Sequence, residues 1–160
     1  MLTLQATRPE YPSLLKEIAS PPETLYCEGN LQLLSKTCFA IVGAREATDY
    51  GQKVAFEIAG ELASRGVVVV SGFAHGIDAM AHRGALEAGG TTIAVLGAGL
   101  DVPYPKDHQT LRREIIARGL MVTELSEGTP ALRQHFPARN RIISGLSRGV
   151  LVVEATKKSG

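Results

Sequence analysis

The chain has 160 residues, of which 44% are hydrophobic and 21% charged, the proportions of a folded domain with a real core rather than of a disordered segment. It has no run of 18 apolar residues, and its first ten residues lack a basic stretch followed by an apolar one, so neither a spanning helix nor a secretion signal is expected. A net charge of +1 excludes a generally basic coat, yet residues 131–160 carry six basic side chains against one acidic, a local positive patch suited to an anion.

Residues 1–36 read as an irregular lead-in packed on the main domain. Tyr11-Pro12-Ser13-Leu14-Leu15 and Ser20-Pro21-Pro22-Glu23 suggest short helical and turn pieces, and the paired prolines block regular structure. From Thr37 an alternation begins. Apolar, often β-branched runs at 38–42, 67–70, 92–96, 120–123 and 150–153 predict strands buried on both faces. Between them, apolar residues at helical spacing predict helices over 50–64 (Val54, Ile58, Leu62), 77–88 (Ile77, Met80, Leu86), 107–118 (Leu111, Ile115) and 138–147 (Ile142, Ile143, Leu146). Strand and helix alternating through short links give an α/β fold: a Rossmann-like, doubly wound parallel sheet with helices on both faces, spanning 37–160. The sequence stops directly after the fifth strand, where a covering helix normally follows. The domain is therefore expected to be incomplete at its C-terminus, with an apolar face of that strand uncovered. Cys27 and Cys38, eleven positions apart, read as core thiols of a cytoplasmic protein.

Several motifs point nowhere. Gly97-Ala98-Gly99 follows a strand, but the third glycine of a dinucleotide fingerprint falls on Val102, and no P-loop is present. Gly145-Leu146-Ser147-Arg148-Gly149 spells a hydrolase elbow in the wrong context, because the helix comes before the serine and the strand after it. His75, Asp78 and His82 suggest a metal, but Gly72 and Gly76 place His75 ahead of the helix. Capping by Asp78 and packing of His82 is the expectation, with no metal. Glu124 and Glu127 at a strand end are expected to be solvated or paired with arginines rather than catalytic.

Ligands of open α/β sheets bind at the carboxyl ends of the strands. The loops there deliver Gly43-Ala44-Arg45 and Tyr50, then Ser71-Gly72-Phe73-Ala74-His75-Gly76, then Gly97-Ala98-Gly99 with Tyr104 and Lys106. Phe136, Arg139, Asn140 and Arg141 follow at a helix start, with Lys157 and Lys158 last. Half of the eight aromatic residues belong to these loops: Tyr50, Phe73, Tyr104 and Phe136. Cations for phosphates, rings for bases and glycine turns for backbone contact suit single-stranded nucleic acid. Arg65, Arg118 and Arg148 fall on the opposite edge, however, and a small nucleotide would need the same glycines and fewer cations.

The same segments resemble the bacterial DNA-processing protein A family, also called Smf. The likeness runs in order through Val42-Gly43-Ala44-Arg45, Ser71-Gly72-Phe73-Ala74-His75-Gly76-Ile77-Asp78, Leu96-Gly97-Ala98-Gly99-Leu100-Asp101 and Tyr104-Pro105. It continues through Phe136-Pro137-Ala138-Arg139-Asn140-Arg141 and Val153-Glu154-Ala155. The resemblance implies a non-catalytic protein without a cofactor that binds single-stranded DNA in natural transformation and recombination and helps load the RecA recombinase. It implies a DNA pocket of Arg45, Lys106, Phe136, Arg139, Asn140 and Arg141, with backbone contacts to phosphate from Gly43, Ser71, Gly72, Gly76, Gly97 and Gly99. Homodimer formation and recombinase contact are associated with a later region of the family. The rival readings are a nucleotide phosphoribohydrolase-like enzyme on the same sheet, whose Pro-Gly-Gly-x-Gly-Thr loop is not found here, and an inactive remnant.

Overall fold

A computed structural model describes residues 1–156. Its elements are β1 (Leu2–Gln5), α1 (Ser13–Lys16), β2 (Thr24–Gly29), a 3-10 turn (Leu31–Ser35), β3 (Cys38–Gly43), α2 (Asp49–Ser64) and β4 (Val68–Ser71). They continue with α3 (Ile77–Glu87), β5 (Thr92–Val95), a second 3-10 turn (Lys106–His108), α4 (Gln109–Arg118), β6 (Leu120–Thr123), α5 (His135–Leu146) and β7 (Val150–Val153).

One seven-stranded sheet, ordered β1-β2-β6-β5-β4-β3-β7, carries the fold. Its five strands from β6 to β7 are parallel, as their apolar runs predict: every residue of β4, β5 and β6 is buried. The chain winds from β3 through β4 and β5 to β6, and α5 then returns it to β7 on the far side of β3. Strand order therefore reverses between β3 and β7, the crevice where such sheets bind ligands. Helices α2, α3 and α4 pack on one face over Ile41, Val69, Ala94 and Met121. On the other face Ile142, Ile143 and Leu146 of α5 meet Ala40, Val70, Ile93 and Val122.

The lead-in departs from expectation. It does pack on the core, with Leu15 fully buried and Gly145 of α5 lying against Leu15 and Ile18. It is not irregular, because β1 pairs antiparallel with β2 (Leu2↔Cys27) and β2 with β6 (Tyr26↔Thr123), which makes the sheet mixed. The prolines are tolerated because they fall in the link between these strands, where Pro22 accepts a hydrogen bond from the Tyr11 hydroxyl at 2.5 Å.

Helix α5 begins three residues before its predicted start, with Pro137 as its third residue. The first four N–H groups of a helix have no intrahelical acceptor, so proline costs nothing there and Phe136 is carried on the helix rather than in a loop. The order α5 then β7 confirms that the Gly145–Gly149 elbow is reversed. Strand β7 lies at the sheet edge with Val150 and Val152 exposed, while Leu151 and Val153 pack inward beside Phe39. Cys27 and Cys38 are buried thiols, and burial pushes the first up to about 12 and the second to about 11. Among the described residues no helix is long and apolar enough to cross a membrane.

Candidate functional site

At the reversal point the loops after β3 and β4 are locked to each other. The α-carbon of Gly43 lies against the Val153 carbonyl and the Ile77 side chain, where no side chain fits. Gly76, at φ +68°, lies against the carbonyls of Ala44 and Arg45, and the Ile77 N–H donates to the Ala44 carbonyl at 3.2 Å. This leaves Arg45 exposed at the rim. The neighbouring N-terminus of α2 already has its anion. The Thr48 hydroxyl caps Gly51, and both the N–H (2.8 Å) and the hydroxyl of Thr48 donate to the Glu154 carboxylate. Those bonds hold Glu154 below the usual carboxylate range.

A buried polar layer lies deeper. Ser71 donates its hydroxyl to the Ile41 carbonyl at 2.6 Å, and Gly72 is flanked by the Asp78 carboxylate and the Arg139 guanidinium. Arg139 is only 4% exposed; its Nη1 donates to the Gly72 carbonyl at 2.6 Å and also to that of Val95. Burial brings its pKa down to about 10, which leaves it cationic at neutral pH. Burial raises the pKa of Asp78, and the nearby Arg139 charge opposes that rise. Asp78 also accepts the Ala74 N–H at 3.3 Å, and His82 is fully buried. The packing expected of His82 is present; the capping expected of Asp78 is not, because Gly76 occupies the N-cap of α3 and the Asp78 carboxylate turns back to the loop before the helix and the Arg139 guanidinium. Phe73 turns this loop at φ 60°, a conformation that costs a non-glycine residue roughly 1–3 kcal/mol and that collects at functional sites.

Above that layer is an aromatic mouth. The Phe136 ring rests on Gly97, where even a methyl group would stand 2.9 Å from it. The Tyr104 ring is 5.4 Å from that of Phe136, and the guanidinium groups of Arg45 and Arg139 lie 5.0 and 6.0 Å from the Phe136 centroid. Gly72, Phe73, Ala74, Leu96, Ala98 and Pro105 complete the lining. The cleft encloses about 10 Å³, room for a water but not for a base. Lys106 is exposed, one residue beyond Pro105.

The predicted residues thus separate. Arg45, Lys106, Phe136, Gly72 and Gly97 gather at or beside the mouth, and Gly43 and Gly76 shape the turn that presents Arg45. Arg139 lies underneath, with Ser71 in the same buried layer. Asn140 is partly buried on α5. Arg141 is committed to Glu124 in a bidentate pair at 2.7 and 2.6 Å, the arginine partner expected for that carboxylate. The Gly99 N–H is taken by the Thr129 carbonyl at 2.9 Å. Lys157 and Lys158 lie outside the described residues. Tyr104, absent from the predicted pocket, belongs to the mouth, and the clustering of aromatics in post-strand loops was the signal for it. A larger cavity of about 330 Å³ is lined by Met1, Glu28, Asp101, Gln109, Arg112 and Glu127 among others. Its three carboxylates against one arginine disfavour a polyanion.

The chain is thus an α/β protein with a Rossmann-like sheet and a cation–aromatic cluster over the carboxyl ends of β4 and β5. The chain belongs to the DNA recombination-mediator protein A family, whose pattern matches residues 3–160. It is 48% identical over 156 residues to Protein Smf of Synechocystis sp., covering 95% of this chain and 39% of that protein. It matches the crystal structure of DNA processing protein A from Streptococcus pneumoniae at a TM-score of 0.95 and 44% identity, over 99% of this chain and 56% of that one. DNA processing protein A of Helicobacter pylori, whose structure is reported for its single-stranded DNA binding mode, matches at 0.89 and 34%, over 99% and 71%. The chain spans between two fifths and just over half the length of its first curated relatives.

Proposed function

We propose that this chain binds single-stranded DNA without sequence preference at the mouth formed by Arg45, Tyr104, Phe136 and Lys106. The observation that carries the reading is the Arg45 guanidinium 5.0 Å from the Phe136 ring, with the Tyr104 ring beside it, over the carboxyl ends of β4 and β5. A cation on an aromatic platform serves phosphates and any base alike. Arg139 supports the platform from below and Arg141 fixes α5 through Glu124, so neither is assigned a phosphate. Gly43, Ser71, Gly72, Gly76, Gly97 and Gly99 shape the turns. In this reading the whole protein acts in DNA recombination and natural transformation in the cytoplasm, assisting RecA loading as a homodimer. It binds rather than catalyses. Supporting that view, Glu124, the carboxylate following β6, is held in its pair with Arg141.

Fluorescence anisotropy of labelled oligothymidylate, titrated with the chain at 50 and 200 mM salt, tests the reading. Two exposed cations at the mouth give a slope of about −1.4 and roughly a sevenfold loss of affinity over that range. Absence of binding by the folded chain, or equal affinity at both salts, would contradict it.

A further inference from the structure

The sequence offers His75 to a metal together with Asp78 and His82, but the fold gives it different partners. His75, from the turn between β4 and α3, meets Asp107 and His108 of the second 3-10 turn. One ligand atom from each lies within 4.8 Å of the other two. Nε2 of His75 is 3.0 and 2.9 Å from the two oxygens of Asp107, and the two imidazole rings are 4.6 Å apart. The side chains of His75 and Asp107 are 48% and 68% exposed and free to adjust. His108 is 5% exposed and fixed, with the Phe73 ring packed edge-on at 5.3 Å.

We propose that His75, Asp107 and His108 bind a divalent first-row transition ion of the Zn²⁺ class. Zinc takes imidazole nitrogen and carboxylate oxygen at about 2.0–2.2 Å in a tetrahedral array, which sets its ligand atoms roughly 3.4 Å apart. The His75–Asp107 distance lies within about half an ångström of that value, and the exposed pair can close on the fixed imidazole. Nδ1 of His108 is buried without a hydrogen-bond partner, a costly condition for a polar atom beside a cluster of ligands. An ordinary ion pair between His75 and Asp107 would account for two of the three residues but not for the third. Three protein ligands leave a fourth position for water or an anionic oxygen. Both contributing segments also wall the aromatic mouth, through Phe73, Ala74, Tyr104 and Pro105, so a bound ion would tie its two sides together.

Isothermal titration of the 160-residue chain with Zn²⁺, without DNA, tests this independently of the nucleic-acid reading, and Co²⁺ absorption reports the ligand set. The expected result is one ion per chain and a Co²⁺ spectrum with nitrogen and oxygen ligands. Affinity should fall by at least the roughly 10–100-fold seen for loss of an outer-shell partner in each of His75→Ala and Asp107→Asn. Both positions are exposed, so folding is preserved, and His135→Ala, at the half-buried histidine outside the cluster, should bind as the parent does. Failure of the parent chain to bind, or binding unchanged in both variants, would overturn the assignment.

Discussion

Arg45 and Arg139 both reach the Phe136 ring, at 5.0 and 6.0 Å, yet they belong to different regions of the molecule. Arg45 stands in water on a turn made rigid by Gly43 and Gly76. Arg139 is buried, with Nη1 committed to the carbonyls of Gly72 and Val95, Nε left without a partner, and its charge beside Asp78. Equal in a sequence census of basic residues, the two differ in what water allows. An exposed guanidinium can exchange its hydration for a phosphate, whereas a buried one already spends its hydrogen bonds on the backbone. The +5 of the last thirty residues is accordingly less available to a ligand than its sum suggests, because Arg139 and Arg141 hold the site instead of facing it.

The difference is broken most forcefully at Arg139. Arg139→Ala leaves two buried carbonyls and the Asp78 carboxylate without their cation, and it should destabilise the fold by about 3 kcal/mol or more, read from urea unfolding. A loss below about 1 kcal/mol would mean that the buried layer carries little.

The same layer has an acid signature that the rim lacks. Thr92 donates its hydroxyl to the Val69 carbonyl and so accepts from Nδ1–H of His82, leaving Nε2 of that ring buried without a partner. Burial lowers the His82 pKa to about 3. Its folded pKa therefore lies below its unfolded value, near 6.5. The stability it contributes is complete above pH 6.5 and drains away as the pH falls toward 3, at about 1.4 kcal/mol per pH unit. Unfolding free energy measured at pH 7 and pH 5 should differ by about 2 kcal/mol from this group, and His82→Gln should remove that part of the slope.

At the rim the effect moves from stability to binding. Arg45→Glu should weaken oligonucleotide binding about tenfold, or 1.4 kcal/mol, alike for all base compositions, with stability changed by less than about 0.5 kcal/mol. Smallest of all, Arg141→Ala should leave DNA affinity within about twofold, because its charge is already answered by Glu124.

The sequence made the parallel half of the sheet legible because β3 to β7 are continuous β-branched or aliphatic runs, and such strands signal themselves by composition alone. Strands β1 and β2 were not legible. Leu2–Gln5 and Thr24–Gly29 mix polar and apolar residues, lie at the sheet's antiparallel side, and flank the prolines that argue against strand. The carboxyl-edge census located the mouth, since which loops follow which strands is a matter of order. Burial is not, and nothing local distinguishes Arg139 from Arg45. The His75–Asp107–His108 group was out of reach for a related reason: its members are about thirty positions apart and meet only because β4 and β5 are neighbours in the sheet.

The most direct test of the central claim is an amide chemical-shift map of the isotope-labelled chain titrated with oligothymidylate. The account predicts that the largest shifts fall on Ala44 and Arg45, Gly97 and Ala98, Tyr104 and Lys106, and Phe136. Glu28, Asp101 and Arg112 around the acidic cavity should be unmoved. Shifts centred on that cavity, or along the exposed edge of β7 with the mouth silent, would contradict it.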